Sequence, residues 1–290
     1  MIQQIAVWGV MNGVIYAMLA LGFTFMFGVA RVINLAQGSL FMVSAYFMYI
    51  FVSFLHLNIY LSIALTIFLA GVMGVIIYQV LIRRIEEYHA SVVLMTMAVA
   101  LFLQEIILVI FGGEYLSTEP FVPGSIVILG IDIRYQYLLT LAVVSLCLIG
   151  TGVFLYKTRT GLAIRSVAQD REIANVMGIN VERTYLVAMG LGAFLAGIAG
   201  ALIAPIYTLS PTMGWHPLVM MLAVVVLGGL GDIKGSIIGA FILAFVEATV
   251  VFLVPMGSFL KDAVALIIVI VVLLTRPEGL FGIAFEEERL

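Results

Sequence analysis

Residues 156–184 read YKTRTGLAIRSVAQDREIANVMGINVERT. This is the longest polar run in a chain that is otherwise almost all hydrocarbon. It carries five basic residues, Lys157, Arg159, Arg165, Arg171 and Arg183, and three acids, Asp170, Glu172 and Glu182. The apolar stretches on both sides have the length of about 20 residues that crosses a bilayer core about 30 Å thick. The run therefore sits in water beside a membrane. Ala163, Ile164, Val167 and Ala168, then Ile173, Ala174 and Met177, recur at three- and four-residue steps, the spacing of one apolar helical face. Gly161 precedes the first run; Gly178 and Asn180 follow the second as stop signals. The pattern predicts two short helices near the membrane surface that offer a face to a partner. The competing reading is an amphipathic segment resting on lipid headgroups.

The rest of the chain supports a membrane reading. Of 290 residues, 64% are hydrophobic and 10% charged, with mean hydropathy +1.25 and formal net charge −3. A soluble domain carries about 25% charge. Cys147 is the one cysteine, inside an apolar span, which excludes an internal disulfide and a cysteine-based metal site. The first apolar stretch lacks a basic leader and outruns a signal peptide's apolar region, so it reads as a span.

The expected fold is an all-α polytopic transmembrane bundle of eight or nine spans with broken or re-entrant segments, organised as a single domain over 1–290 with the polar loop at 156–184. Spans are expected at 5–30, twice within 32–82 with a break at 56–58, then at 90–111, 137–156, 185–207, 218–230, 236–254 and 263–275. A short polar turn holds Arg83, Arg84, Glu86 and Glu87, and a longer polar loop covers 112–136. Placing 156–184 in the cytoplasm and alternating nine spans puts eleven Lys and Arg residues inside and only Arg134 and Lys261 outside. That bias obeys the positive-inside rule. It sets the amino terminus outside and the carboxyl terminus inside.

Two segments put glycine and hydrogen-bonding groups near membrane depth: Asn34-Leu35-Ala36-Gln37-Gly38-Ser39 and the glycine-rich run 228–235. Freed backbone groups there must face protein or a water-filled cavity, and paired broken helices point to a transport pathway. The glycine run is no phosphate loop, since Lys234 precedes its last glycine and a strand context is missing. Small residues repeat at four-residue steps as Gly192, Ala196, Gly200 and as Ala240, Ala244, Ala248, which suits close helix packing. Glu105 and Glu247 lie within spans, where a carboxylate is costly and faces the interior. With no Lys or Arg inside a span, a helix–helix hydrogen bond is the expected role, with ion coupling as the rival. Asn12, Asn34, Gln37, Ser39, Glu105 and Glu247 are the candidate residues of a polar path. The three histidines, His56, His89 and His216, lack metal-ligand spacing, so no metal site is expected. With Trp8 and Trp215, the outer ones suit the membrane interface. No Ser/His/Asp, HExxH or paired-carboxylate arrangement is present.

Four runs carry a resemblance: NLAQGSLFMVSAY (34–46), GLAIRSVAQDREIANVMGIN (161–180), VVLGGLGDIKGSIIGAF (225–241) and RPEGLFG (276–282). In this order, over nearly the whole length, the chain resembles the permease subunits of bacterial and archaeal branched-chain amino acid ABC importers. It is similar to the one of the two paired permeases that starts directly with a span. The resemblance implies a second homologous permease, two separate ATPases that hydrolyse ATP with Mg²⁺, and an extracytoplasmic substrate-binding protein. It implies no cofactor on this chain, no nucleic-acid partner, and a place in the cell membrane. Ala174 and Gly178 match the small residues of the permease coupling-helix motif, with Ile173 where that motif has a second small residue. The implied ATPase-docking set is Gly161, Arg165, Asp170, Arg171, Ala174 and Gly178. Permeases for urea, nucleosides or sugars are close alternatives. A secondary transporter or channel using Glu105 or Glu247 is the alternative of another class, and would not need a docking loop.

Overall fold

The computed structural model describes residues 1–85, 88–128, 130–276 and 278–281; Glu86, Glu87 and Arg289 lie outside the described residues. Helix α1 spans Ile2–Ala30. Helix α2 spans Ala36–Tyr49 and α3 spans Ile59–Ile77, each continued by one π-helical turn, Ile50–Phe54 and Tyr78–Ile82. Helix α4 covers His89–Phe111 and α5 covers Tyr135–Lys157. Short helices α6 (Arg159–Gln169) and α7 (Arg171–Val176) follow. Helix α8 spans Val181–Ile203, α9 Trp215–Gly228, α10 Ile233–Leu253 and α11 Gly257–Thr275. Among the described residues, eight helices are long and apolar enough to cross a bilayer, and α9 is a shorter apolar helix.

The expected spans are recovered within a few residues, with two informative shifts. Helix α8 begins at Val181, because the Asn180 side chain caps it by accepting from the Arg183 amide at 2.8 Å. Helix α11 begins at Gly257, which brings Lys261 and Asp262 onto the helix. The expected polar loop at 112–136 also contains a small antiparallel hairpin, β1 (Ser125–Ile128) with β2 (Ile131–Arg134).

Helix directions follow from close approaches between small residues. Along α1 and α10, Gly9 lies against Phe245, Gly13 against Phe241, and Thr24 pairs with Ser236 at 2.6 Å, so the two are antiparallel. On α2 and α8, Gln37 meets Gly192 and Ser44 meets Gly200, so these are parallel. Asn34 and Gln37 approach Met26 and Gly22, which makes α2 antiparallel to α1. Helices α8 and α10 therefore run the same way, and the chain returns between them through 204–232, including α9. Nine apolar segments alternate in direction.

Helix α1 is the axis of the bundle. It is apolar on every side and buried continuously from Gly13 to Met26, as an all-round apolar helix must be. Its backbone comes close to α8: a Cβ on Gly192 would lie 2.7 Å from the Gly22 carbonyl oxygen. Alanines 240, 244 and 248 are likewise buried on α10. Helices α4, α5 and α11 bury only one stripe and expose large apolar residues elsewhere, among them Phe102, Leu146 and Ile270, as lipid-facing helices do.

The alternation gathers charge at one end of the bundle. The termini carrying Arg31, Arg83, Arg84, Lys157, Arg183, Lys234 and Arg276 share that end with α6 and α7. Arg83 and Glu182, both about half exposed, pair there at 2.8 Å.

Candidate functional site

At the basic end, α6 and α7 form a two-helix ledge. Thr158 caps α6 by accepting from the Gly161 amide at 3.0 Å, so Gly161 lies inside the first turn rather than before it. It packs where a Cβ would collide with the backbone of Phe154 and Leu155. Arg165 donates from Nε to the Leu155 carbonyl at 3.1 Å and lies 4.8 Å above the Tyr156 ring. Both residues fasten α6 to the end of α5. Asp170 caps α7 by accepting from the Ile173 amide at 2.9 Å. Arg171 stacks over the Tyr185 ring of α8 at 5.2 Å.

Ala174 and Gly178, both in the expected docking set, do not lie on one helix. Ala174 is 3% exposed and belongs to the main apolar core. Helix α7 ends at Val176, and Gly178 lies beyond it with φ +84°, a left-handed position that favours glycine. Every residue of α7 other than Ala174 is exposed, Arg171, Glu172 and Asn175 as well as the large apolar Ile173 (63% exposed) and Val176 (87%), and Met177 just beyond it is 77% exposed. A cleft of about 450 Å³ runs beside Ile173 and Met177, and the expected docking residues Asp170 and Ala174 line it with Ser166, Gln169 and Ile179. Of the expected docking set, four residues build the ledge and Ala174 anchors it; the exposed apolar residues Ile173, Val176 and Met177 were not in the set.

The expected polar path divides into three groups. Asn34, Gln37 and Ser39 are stitched into packed helices: Asn34 Nδ2 donates to Met26 Sδ (3.2 Å), Gln37 Nε2 to the Gly192 carbonyl (2.9 Å) and Ser39 Oγ to the Ala100 carbonyl (3.1 Å). Glu105 is exposed on the outer face of α4, contrary to the inward placement expected of it. Its neighbour Gln104 points inward and accepts from Trp215 Nε1 at 2.6 Å, so Trp215 is an interior tether rather than an interfacial anchor. Asn12 and Glu247 alone come together.

They do so around a cavity of about 340 Å³ at the end of the bundle opposite the ledge. Its polar lining includes Asn12 and Tyr16 of α1, Tyr207 before α9, His216 of α9, and Lys261 and Asp262 of α11. Glu247 of α10 lies behind Tyr16, outside that lining and 1% exposed, with Oε2 accepting from the Tyr16 hydroxyl at 2.8 Å. This is the helix–helix hydrogen bond expected of an intramembrane acid. Its second oxygen, Oε1, has no partner among the described residues. His216 Nε2 lies 3.1 Å from Asp262 Oδ1, and Lys261 Nζ lies 3.9 Å from the same oxygen. One ligand-capable atom each from His216, Glu247 and Asp262 lie within 4.8 Å of one another, close enough to hold a cation. Spacing along the chain concealed this group, because its members come from three helices. The inference that no basic residue could reach an intramembrane acid fails for the same reason, once α11 carries Lys261 into the bundle.

A family model described as the branched-chain amino acid transport system permease component matches residues 5–273. The chain is similar to the high-affinity branched-chain amino acid transport system permease protein BraD of Pseudomonas aeruginosa. The two are 29% identical over 97% of this chain and 95% of that protein. It is 27% identical to LivH of Escherichia coli, over 94% of this chain and 93% of the relative. A probable LivH of Methanocaldococcus jannaschii is 30% identical over 93% and 89%. No solved structure matches the chain.

Proposed function

This chain belongs to the branched-chain amino acid transport system permease family, and we propose that it is the membrane subunit through which an ABC importer passes leucine, isoleucine and valine. The observation that carries this reading is the match in family over nearly the whole chain. The ledge adds a physical role. A short amphipathic helix pair fixed to α5 and α8 transmits displacement from a cytoplasmic partner to two membrane helices at once. Its exposed Ile173, Val176 and Met177 suit a groove on an ATPase, where apolar contacts exclude water at the centre of an interface. The gathering of basic residues at that end supports a cytoplasmic ledge and carboxyl terminus, an outer amino terminus, and a place in the cell membrane. A second homologous permease would complete the path. The exposed carboxyl of Glu105 on α4 supports pairing across that face, since an ionisable group facing lipid is costly. ATP and Mg²⁺ would be handled by two partner ATPases, and an extracytoplasmic protein would deliver the substrate.

The test is uptake of labelled leucine, isoleucine and valine by cells carrying the complete system with and without this chain. Loss of all three, restored by the wild-type chain, is expected. Unchanged uptake overturns the transport reading; loss of urea or sugar uptake instead overturns the substrate alone.

A further inference from the structure

The cavity lined by α1, α2, α8, α9, α11 and the chain before α9 combines charged and hydrocarbon groups. Behind Tyr16, just outside the lining, the buried Glu247 directs Oε2 to the Tyr16 hydroxyl and leaves Oε1 without a donor among the described residues. A buried acceptor with no donor is unfavourable, and an ordered water or a ligand can supply the donor. Asp262 lies beside it, and Lys261 reaches Asp262 only at 3.9 Å, longer than a hydrogen bond. The ammonium of Lys261 therefore keeps donors for another acceptor. Ile15, Leu19, Phe41, Ile203 and Met213 supply the cavity's apolar lining. The volume of about 340 Å³ falls at the small end of ligand sites, which run from about 300 to 1,000 Å³.

The geometry points to a way-station within this subunit for a zwitterionic aliphatic amino acid: its ammonium between Glu247 and Asp262, its carboxylate toward Lys261, and its branched side chain on the wall of Ile15, Leu19 and Ile203. This rests on the branched-chain amino acid reading above and adds the site and the residues that hold each charge. A divalent metal is the rival occupant, because His216, Glu247 and Asp262 can converge. The fixed positive charge of Lys261 beside Asp262 opposes it.

The test uses the complete transporter in proteoliposomes with its binding protein, comparing wild type with Glu247→Gln and Lys261→Met. Two rates are measured, leucine uptake and ATP hydrolysis stimulated by leucine-loaded binding protein. The site predicts uptake lowered about 10- to 100-fold, the range for losing a charged hydrogen bond, while stimulated hydrolysis persists. Wild-type uptake in both variants overturns the site and leaves the transport reading intact. So does a parallel fall of uptake and hydrolysis with reduced assembly, since that is a packing defect. Zn²⁺ added alone to the wild-type complex should not bind; micromolar binding lost in Glu247→Gln overturns the site in favour of a metal centre. Absence of leucine, isoleucine and valine uptake by the wild-type complex overturns the underlying reading and the site with it.

Discussion

At the basic end, α6 and α7 come from one unbroken run of sequence; at the far end, the cavity and the carboxylate behind it draw Tyr16, His216, Glu247 and Asp262 from four helices far apart in the chain. The ledge is conspicuous in the sequence because its polarity is local. The cavity is hidden there because each contributor is a lone polar residue in an apolar span. Yet the detail is misleading in the conspicuous region, where the small and charged residues that look functional turn out to hold the ledge together. A motif read along the chain locates a segment well and its exposed face poorly, since the face depends on what packs behind it.

That contrast can be broken most sharply at the exposed face of α7. Ile173→Asp combined with Val176→Asp should leave permease abundance unchanged and weaken ATPase association by roughly 30-fold or more, the scale of an interface hot spot. Co-purification of the ATPase with the permease measures it. Retained association would place docking elsewhere on the ledge.

Ala174→Leu is the companion experiment. Because Ala174 is buried, a larger side chain should overfill the contact behind α7 at about 1–3 kcal/mol. Thermal unfolding in detergent should then shift downward together with ATPase association. An unchanged melting curve would mean that the face is free after all.

At the far end, Tyr16→Phe removes the donor to Glu247 Oε2 and should destabilise the bundle by about 1–3 kcal/mol. ATPase co-purification should stay at the wild-type level, since the two ends are built separately. A loss of docking in this variant would show them to be coupled. The smallest effect is expected for Arg83→Ala. Its pair with Glu182 is half exposed and contributes about 0–1 kcal/mol, so the melting temperature should barely move.

The span pattern was legible because a long apolar run has few other solutions in a membrane. The two end shifts share one cause. Glu182 and Arg183 at the start of α8, and Lys261 and Asp262 at the start of α11, are charged and read as loop, although their backbone is helical. The second of these errors concealed the cavity, because its basic residue and one of its acids were assigned to bulk water. Glu105 shows the reverse failure. Its span was found, but which way it faces on α4 depends on the neighbours, and no local pattern supplies that. The hairpin β1–β2 was missed because its four-residue strands, turning near Gly130 with φ +78°, look like loop in composition.

The last described residues have a further consequence. The Leu280 amide donates to the Leu227 carbonyl at 2.8 Å, the Phe281 amide donates to the Gly228 carbonyl at 3.1 Å, and Gly279 packs against Gly229. These carbonyls are among the four that a helix end leaves unpaired. During synthesis, α9 and the turn to α10 enter the membrane well before residues 280 and 281 are made. That end of α9 must then wait, its carbonyls wet or unsatisfied, until residues 280 and 281 arrive to close it. Membrane insertion and final folding are thereby separated in time, and a chain cut just after α11 would insert all its helices while leaving this joint open to proteolysis.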